Sequence, residues 1–370
     1  MKITRIEAIP VDVPLKPDLS TKTAHGDHVT SPYVMLRVHT DEGLCGLGEA
    51  TLAPRWSGES QKSCLAAIEE FIAPALIGED SSQIRRLLAV MNRVVKRNPF
   101  TKAAIEMALW DLAGKRAGRP VYELLGGTVR DEIPIKLVVG AFPISKAVSL
   151  AERFLEMGVR HLKVKVGLNP EEDLARVAAV RRVAGPDVTL GIDANCGWDR
   201  STARHILPRL SEYNLLFAEQ PIPPDFPEYL TELRSVCSVP IMADESLFTP
   251  ADALTLIKLR AADIFSIYPG KHAGILPTLD IASIARTAGI PCSIGSNLEL
   301  GVGTAAMLHV AAASDAIDSE RFPADLIGPF YHESDLLTEP LQLGPPVARV
   351  PTRPGLGVEF DDNLLEKYRS

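Results

Sequence analysis

Asp193, Glu219 and Asp244 stand 26 and 25 residues apart, each near the end of a short apolar run. Upstream, another run closes with Lys163-Val164-Lys165. Side chains two apart on a strand share a face, so both amines can point the same way. One acidic residue at a strand end commonly caps the next helix. Three in register beside paired lysines point elsewhere. Converging carboxylates repel one another unless a cation sits among them, and hard oxygen ligands suit Mg²⁺ or Mn²⁺. Two amines held close beside such a cation disfavour each other's charged form, which makes a lysine a usable base. A metal opposite that base can take a substrate carboxylate and stabilise the charge that builds as the α-proton leaves. The chemistry in view is enolate formation from a small carboxylate.

Positioning these groups requires parallel strands in sequence. From about residue 136, apolar runs alternate with amphipathic helices, the runs being 136–141, 161–166, 188–195, 215–221, 240–246, 263–269, 290–296 and 316–322. Their spacing of about 25 residues matches one βα unit. Linking helices carry start signals: Asn169-Pro170-Glu171-Glu172 supplies a capping Asn, an N1 proline and acidic residues, and Thr249-Pro250-Ala251-Asp252 resembles it. Eight regular units favour a closed (β/α)8 TIM-like barrel over a doubly wound sheet, with chemistry at the C-terminal strand ends. The opening differs. Residues 3–12 and 33–39 alternate as half-buried strands, Asp41-Glu42-Gly43 makes a turn into 44–49, and helical patterns follow at 61–76, 81–97 and 101–117. The expected class is α/β: an N-terminal α+β capping domain (1–130), a barrel catalytic domain (131–342), and a Pro- and Gly-rich tail (343–370) returning to the cap.

Composition narrows the classes. The 370 residues carry a net charge of −8 with no dense basic run, which disfavours nucleic acid as a partner. No run approaches about 18 apolar residues, so no membrane span is expected. Five scattered cysteines and an opening without the layout of a signal peptide predict reduced thiols and a cytoplasmic location. Gly301-Val302-Gly303-Thr304-Ala305-Ala306 mimics a dinucleotide fingerprint but opens a late barrel helix, not a βαβ unit. Cys196, close to Asp193, is a bystander or a reactive thiol.

These residues resemble the enolase superfamily, and within it the muconate lactonizing enzyme (muconate cycloisomerase) subgroup, over essentially the full length. Lys163-Val164-Lys165 looks like that subgroup's KxK signature. The resemblance implies that Lys165 is the acid/base, that Lys163 tunes it and touches the substrate carboxylate, and that Asp193, Glu219 and Asp244 bind Mg²⁺. Asn195 and Trp198 match the third-strand motif, and Glu299, in Ser296-Asn297-Leu298-Glu299, the acidic residue after the seventh strand. His25 and His28 fall on a loop that closes over the site in this family; Arg55 and Trp56 fall on a second capping loop. A homo-oligomer, from dimer to octamer, is implied as well.

The sixth strand departs from the family pattern. Where a lysine is usual, the register places Tyr268, with Lys271 as the alternative in the loop beyond. A phenol with a reference pKa near ~10 is a poor base at neutral pH but a fair donor. One lysine suffices for syn β-elimination or cycloisomerisation, whereas racemisation or epimerisation needs acid/base groups on both faces. Elimination or cycloisomerisation is therefore the leading expectation, a racemase or epimerase of an amino or imino acid the alternative, and a non-catalytic metabolite-binding barrel the competing class. The seventh run lacks the histidine of the mandelate racemase branch. Asp325 stands alone where dipeptide epimerases pair two aspartates.

Overall fold

The computed structural model describes residues 1–370. Its first unit is built on β1 (Ile3–Pro14), β4 (Thr30–Thr40) and β5 (Cys45–Thr51), antiparallel in that order, with a small hairpin, β2 (Thr21–Thr23) and β3 (Gly26–His28), between the first two. Tyr33, Met35 and Val38 of β4 are fully buried beneath the helix Pro99–Ala117 and its neighbours. That helix can press against β5 because Gly46 and Gly48 face it. A Cβ on Gly48 would lie 1.9 Å from the Ala104 carbonyl oxygen. The helical pattern at 61–76 is realised as Gln61–Ala66 and Ala73–Leu76 joined by a π-helical stretch, Ala67–Ile72.

β6 (Glu132–Pro134) precedes a seven-stranded, all-parallel sheet: β7 (Leu137–Val139), β8 (His161–Lys165), β9 (Thr189–Asp193), β10 (Leu215–Glu219), β11 (Ile241–Ala243), β12 (Ile264–Ile267) and β13 (Cys292–Ile294). The strands run in sequence order with helices between them, which gives the sheet its curled, TIM-like form. The helix caps form as expected: Asn169 accepts from the Glu171 and Glu172 amides, and Thr249 forms a capping box with Asp252.

The eighth apolar run, 316–322, is not a strand. Ile317 makes a single bridge to Cys292, and Ala324 one to Ile135. Between them the chain turns, the Phe322 amide donating back to the Asp318 carbonyl, and Pro323 has no N–H to continue a ladder. After β14 (Val347–Arg349) pairs with β6, the tail crosses to the first unit: the Asp12 amide donates to the Tyr368 carbonyl, and the Leu356 amide to Asp111. No helix is long and apolar enough to cross a membrane.

Candidate active site

A cavity of about 570 Å³ opens over the C-terminal ends of the parallel strands, beneath the β2–β3 hairpin and the loop carrying Arg55 and Trp56. Its floor is charged. β8 alternates so that Leu162 and Val164 are buried among core side chains while Lys163 and Lys165 line the cavity. Parallel register sets Lys165 beside Asp193 and Asp193 beside Glu219.

The two amines share one carboxylate oxygen. Asp193 Oδ2 lies 2.5 Å from Lys165 Nζ and 3.3 Å from Lys163 Nζ. Lys163 also donates to Glu219 at 2.9 Å and to Asp325 at 2.7 Å. Burial works against its charge, but Asp325, Glu219 and Asp193 together outweigh it and hold the ammonium well above its ordinary pKa. The mutual lowering expected of the lysine pair is therefore not what governs Lys163. Its neighbours are three acids. Lys165 instead makes two contacts, the second being Asn195 Oδ1 at 2.7 Å.

All three strand-end carboxylates are buried and line the cavity. Burial raises Glu219 to about 7 and Asp244 to about 6, whereas Lys165 and Lys163 overcome burial at Asp193 and lower it. In this arrangement their oxygens are turned to amines and do not form a ready ligand cage. The donor set nevertheless fits a hard divalent cation. It is all oxygen, anionic and buried, and burial pushes two of its members toward neutrality, a cost a bound cation would offset.

Lys271 is not in an open loop position. Its amine is fully buried and donates to Asp244 Oδ1 at 2.5 Å and to the Ser266 carbonyl at 2.7 Å, off the cavity lining. Tyr268 is likewise buried, its ring against Trp56, Phe100 and His272, and its hydroxyl has no partner. Burial first, then the Asp244, Glu299, Glu245 and Glu219 charges, raise that phenol well above its usual pKa. Ser296 reaches the cavity and donates to Glu299, which is buried behind it and raised by burial to about 8. Trp198 lies away from the cavity, its indole donating to Asp173. The Cys196 thiol is raised, chiefly by burial, which disfavours the thiolate. His25 and His28 both line the cavity.

Sequence reasoning assigned no site role to three contributors. Asp325 lines the cavity and joins Lys163 to a second buried amine, Lys136, at 3.4 Å. Its position after the last apolar run was the available signal. Glu245 accepts from Trp56 Nε1 and Asn195 Nδ2, both at 3.1 Å, and faces His25 at 3.5 Å. It thereby ties both capping loops to the strand ends. Nothing local in sequence marks that role, because every partner is distant.

Comparison with known proteins agrees with this architecture. Residues 146–364 match the model of the enolase C-terminal domain-like family, and residues 5–126 that of the mandelate racemase/muconate lactonizing enzyme N-terminal domain. Muconate cycloisomerase 1 of Rhodococcus opacus is 35% identical over 100% of this chain and 98% of its own length. An N-succinyl-L-Arg/Lys racemase of Bacillus cereus is 32% identical over 99% and 98%. The structure of a Pseudomonas fluorescens muconate lactonizing enzyme complexed with muconolactone superposes with a TM-score of 0.96, at 33% identity over 100% of this chain and 99% of that one. The chain belongs to the enolase superfamily, in its muconate lactonizing enzyme subgroup. It is an enzyme of a superfamily whose members generally use Mg²⁺ and whose relatives include both cycloisomerases and racemases.

Proposed function

We propose that the protein abstracts the α-proton of a small carboxylate and completes a syn β-elimination, or the closely related cycloisomerisation, with a single base. The observation that carries this reading is the asymmetry of the cavity. Lys165 is its one lining amine not enclosed by three acids. Across the sheet, four strands from β8, the sixth-strand position holds Tyr268 and Lys271, both buried off the cavity lining, the first with an unpartnered hydroxyl and the second tied to Asp244. No base stands there to serve the second face, as racemisation or epimerisation would require.

Lys165 takes the α-proton on Nζ, oriented by Asn195 Oδ1. A Cα=Cβ bond forms as the Cβ–O bond breaks, and the departing oxygen takes the proton back from the same amine, which syn geometry allows. Lys163, kept charged, meets the substrate carboxylate. Asp193, Glu219 and Asp244 would hold Mg²⁺ or Mn²⁺, which supplies Lewis-acid stabilisation of the carboxylate's developing negative charge. The Ala316–Asp325 segment bridges β13 to the chain before β7.

The test is a library of small carboxylates incubated with enzyme and Mg²⁺ in D₂O, followed by NMR and mass spectrometry. Loss of water or of a β-linked carboxylate, with deuterium at Cα in recovered substrate of unchanged configuration, is the expected result. Inversion at Cα as the sole reaction would move the assignment to a racemase or epimerase. Binding without exchange or turnover would favour a metabolite-binding barrel.

A further inference from the structure

A chain of hydrogen bonds leads from the cavity wall into the protein. His28 Nε2 lies 2.7 Å from Ser31 Oγ, and Ser31 Oγ lies 2.7 Å from His332 Nε2. His332 Nδ1 lies 2.8 Å from the Gly328 carbonyl. Tyr33 stands beside this chain, its hydroxyl 2.6 Å from the Leu298 carbonyl and 3.1 Å from His332 Nε2.

The two carbonyls fix the direction of every proton, because a carbonyl can only accept. His332 must carry its proton on Nδ1 to meet Gly328. His332 is buried and its pKa is lowered to about 4, so it is neutral and its Nε2 is a lone pair. Tyr33 spends its single proton on Leu298 and has none for His332. Ser31 must therefore donate to His332 Nε2, since two lone pairs 2.7 Å apart would repel. The Ser31 oxygen is then the acceptor for His28, so His28 must hold its proton on Nε2. Burial lowers the His28 pKa, which favours the neutral ring. Its Nδ1 then bears a lone pair and has no protein partner, on a residue that lines the cavity.

We infer that His28 is a specificity-determining residue, locked by Ser31 and His332 into the tautomer that offers a hydrogen-bond acceptor to the substrate. It selects a carboxylate whose other end carries a donor, a hydroxyl or an N–H group. A substrate ending in a second, acceptor-only carboxylate meets lone pair against lone pair at this position. The inference rests on the enolate-forming reading of the cavity and narrows its substrate class.

The test uses the full chain with Mg²⁺, labelled with ¹⁵N-histidine, and long-range ¹H–¹⁵N NMR at neutral pH. In the free protein, His28 should show a pyridine-type Nδ1 and a pyrrole-type Nε2. Ser31→Ala should release the lock and mix the tautomers. The ligand probes are 6-hydroxyhexanoate, whose far end carries a hydroxyl donor and which has no β-leaving group, and cis,cis-muconate, of the same chain length, whose far end only accepts. 6-Hydroxyhexanoate should move the Nδ1 resonance, and His28→Phe, which keeps an aromatic ring on the hairpin, should weaken its binding about five-fold relative to muconate, the loss of one hydrogen bond. A proton on Nδ1 in the wild type overturns the inference. So does 6-hydroxyhexanoate binding no better to wild type than to His28→Phe, relative to muconate. The tautomer is read without turnover, so a wrong assignment of the reaction leaves this result standing by itself.

Discussion

Glu245 holds the capping loops to the barrel, and its truncation should free them by a calculable amount. One of its oxygens accepts from Trp56 and from Asn195 at 3.1 Å each, with His25 at a longer 3.5 Å. Asn195 is itself at a strand end, so the short bond that reaches a capping loop is the one from Trp56. A hydrogen bond to a charged acceptor contributes about 1.5 kcal/mol net. At a factor of ten per 1.4 kcal/mol, Glu245→Ala should raise local opening about ten-fold. Hydrogen-exchange mass spectrometry reads this directly in peptides covering residues 20–30 and 53–58. Glu245→Gln keeps an acceptor for both donors and should lie within a few-fold of wild type. If Glu245→Ala leaves exchange in both peptides unchanged, the loops are held by something else and the clamp is refuted.

Other consequences follow from buried groups. Lys163→Met strands Asp193, Glu219 and Asp325, which now lie 3.3, 2.9 and 2.7 Å from its amine; it should cost about 3–5 kcal/mol in urea unfolding, and a loss below 1 kcal/mol would contradict the buried-cluster account. Tyr268→Phe removes an unpartnered buried hydroxyl while keeping the ring contacts with Trp56 and Phe100, so the urea midpoint should rise by about 1 kcal/mol in stability; a fall would show a partner for that hydroxyl. Glu299, Glu49 and Glu106 are raised by burial to about 8, about 7 and about 7. Their folded pKa values exceed the unfolded value of ~4.3, so their contribution is full below that value and is lost as pH rises through about 7 to 8. Tm should fall across that window, and Glu299→Gln should flatten its upper part. A rise in Tm over the same window would contradict the sign.

The meeting of five residues in one cavity was readable because the parallel strands repeat in sequence. Asp193, Glu219 and Asp244 are one βα unit apart, and Lys163 and Lys165 share a strand face, so spacing alone brings them together. The opening order of strands followed by helices was legible from the change in periodicity. The eighth strand was not, because an apolar run does not disclose the turn at Asp318 or the missing donor at Pro323. Lys271 reads as a loop residue beyond Pro269-Gly270, yet its amine turns back to Asp244 and the Ser266 carbonyl. The roles of Glu245 and the His28–Ser31–His332 chain depend on partners up to 301 residues apart, which no local pattern encodes.

The most direct test of the account is deuterium exchange at Cα of a substrate found in the D₂O screen, comparing wild type with Lys165→Ala and Tyr268→Phe. If Lys165 is the single base, Lys165→Ala abolishes both exchange and product formation while still binding the substrate, and Tyr268→Phe retains exchange. Exchange that survives in Lys165→Ala would contradict the central claim.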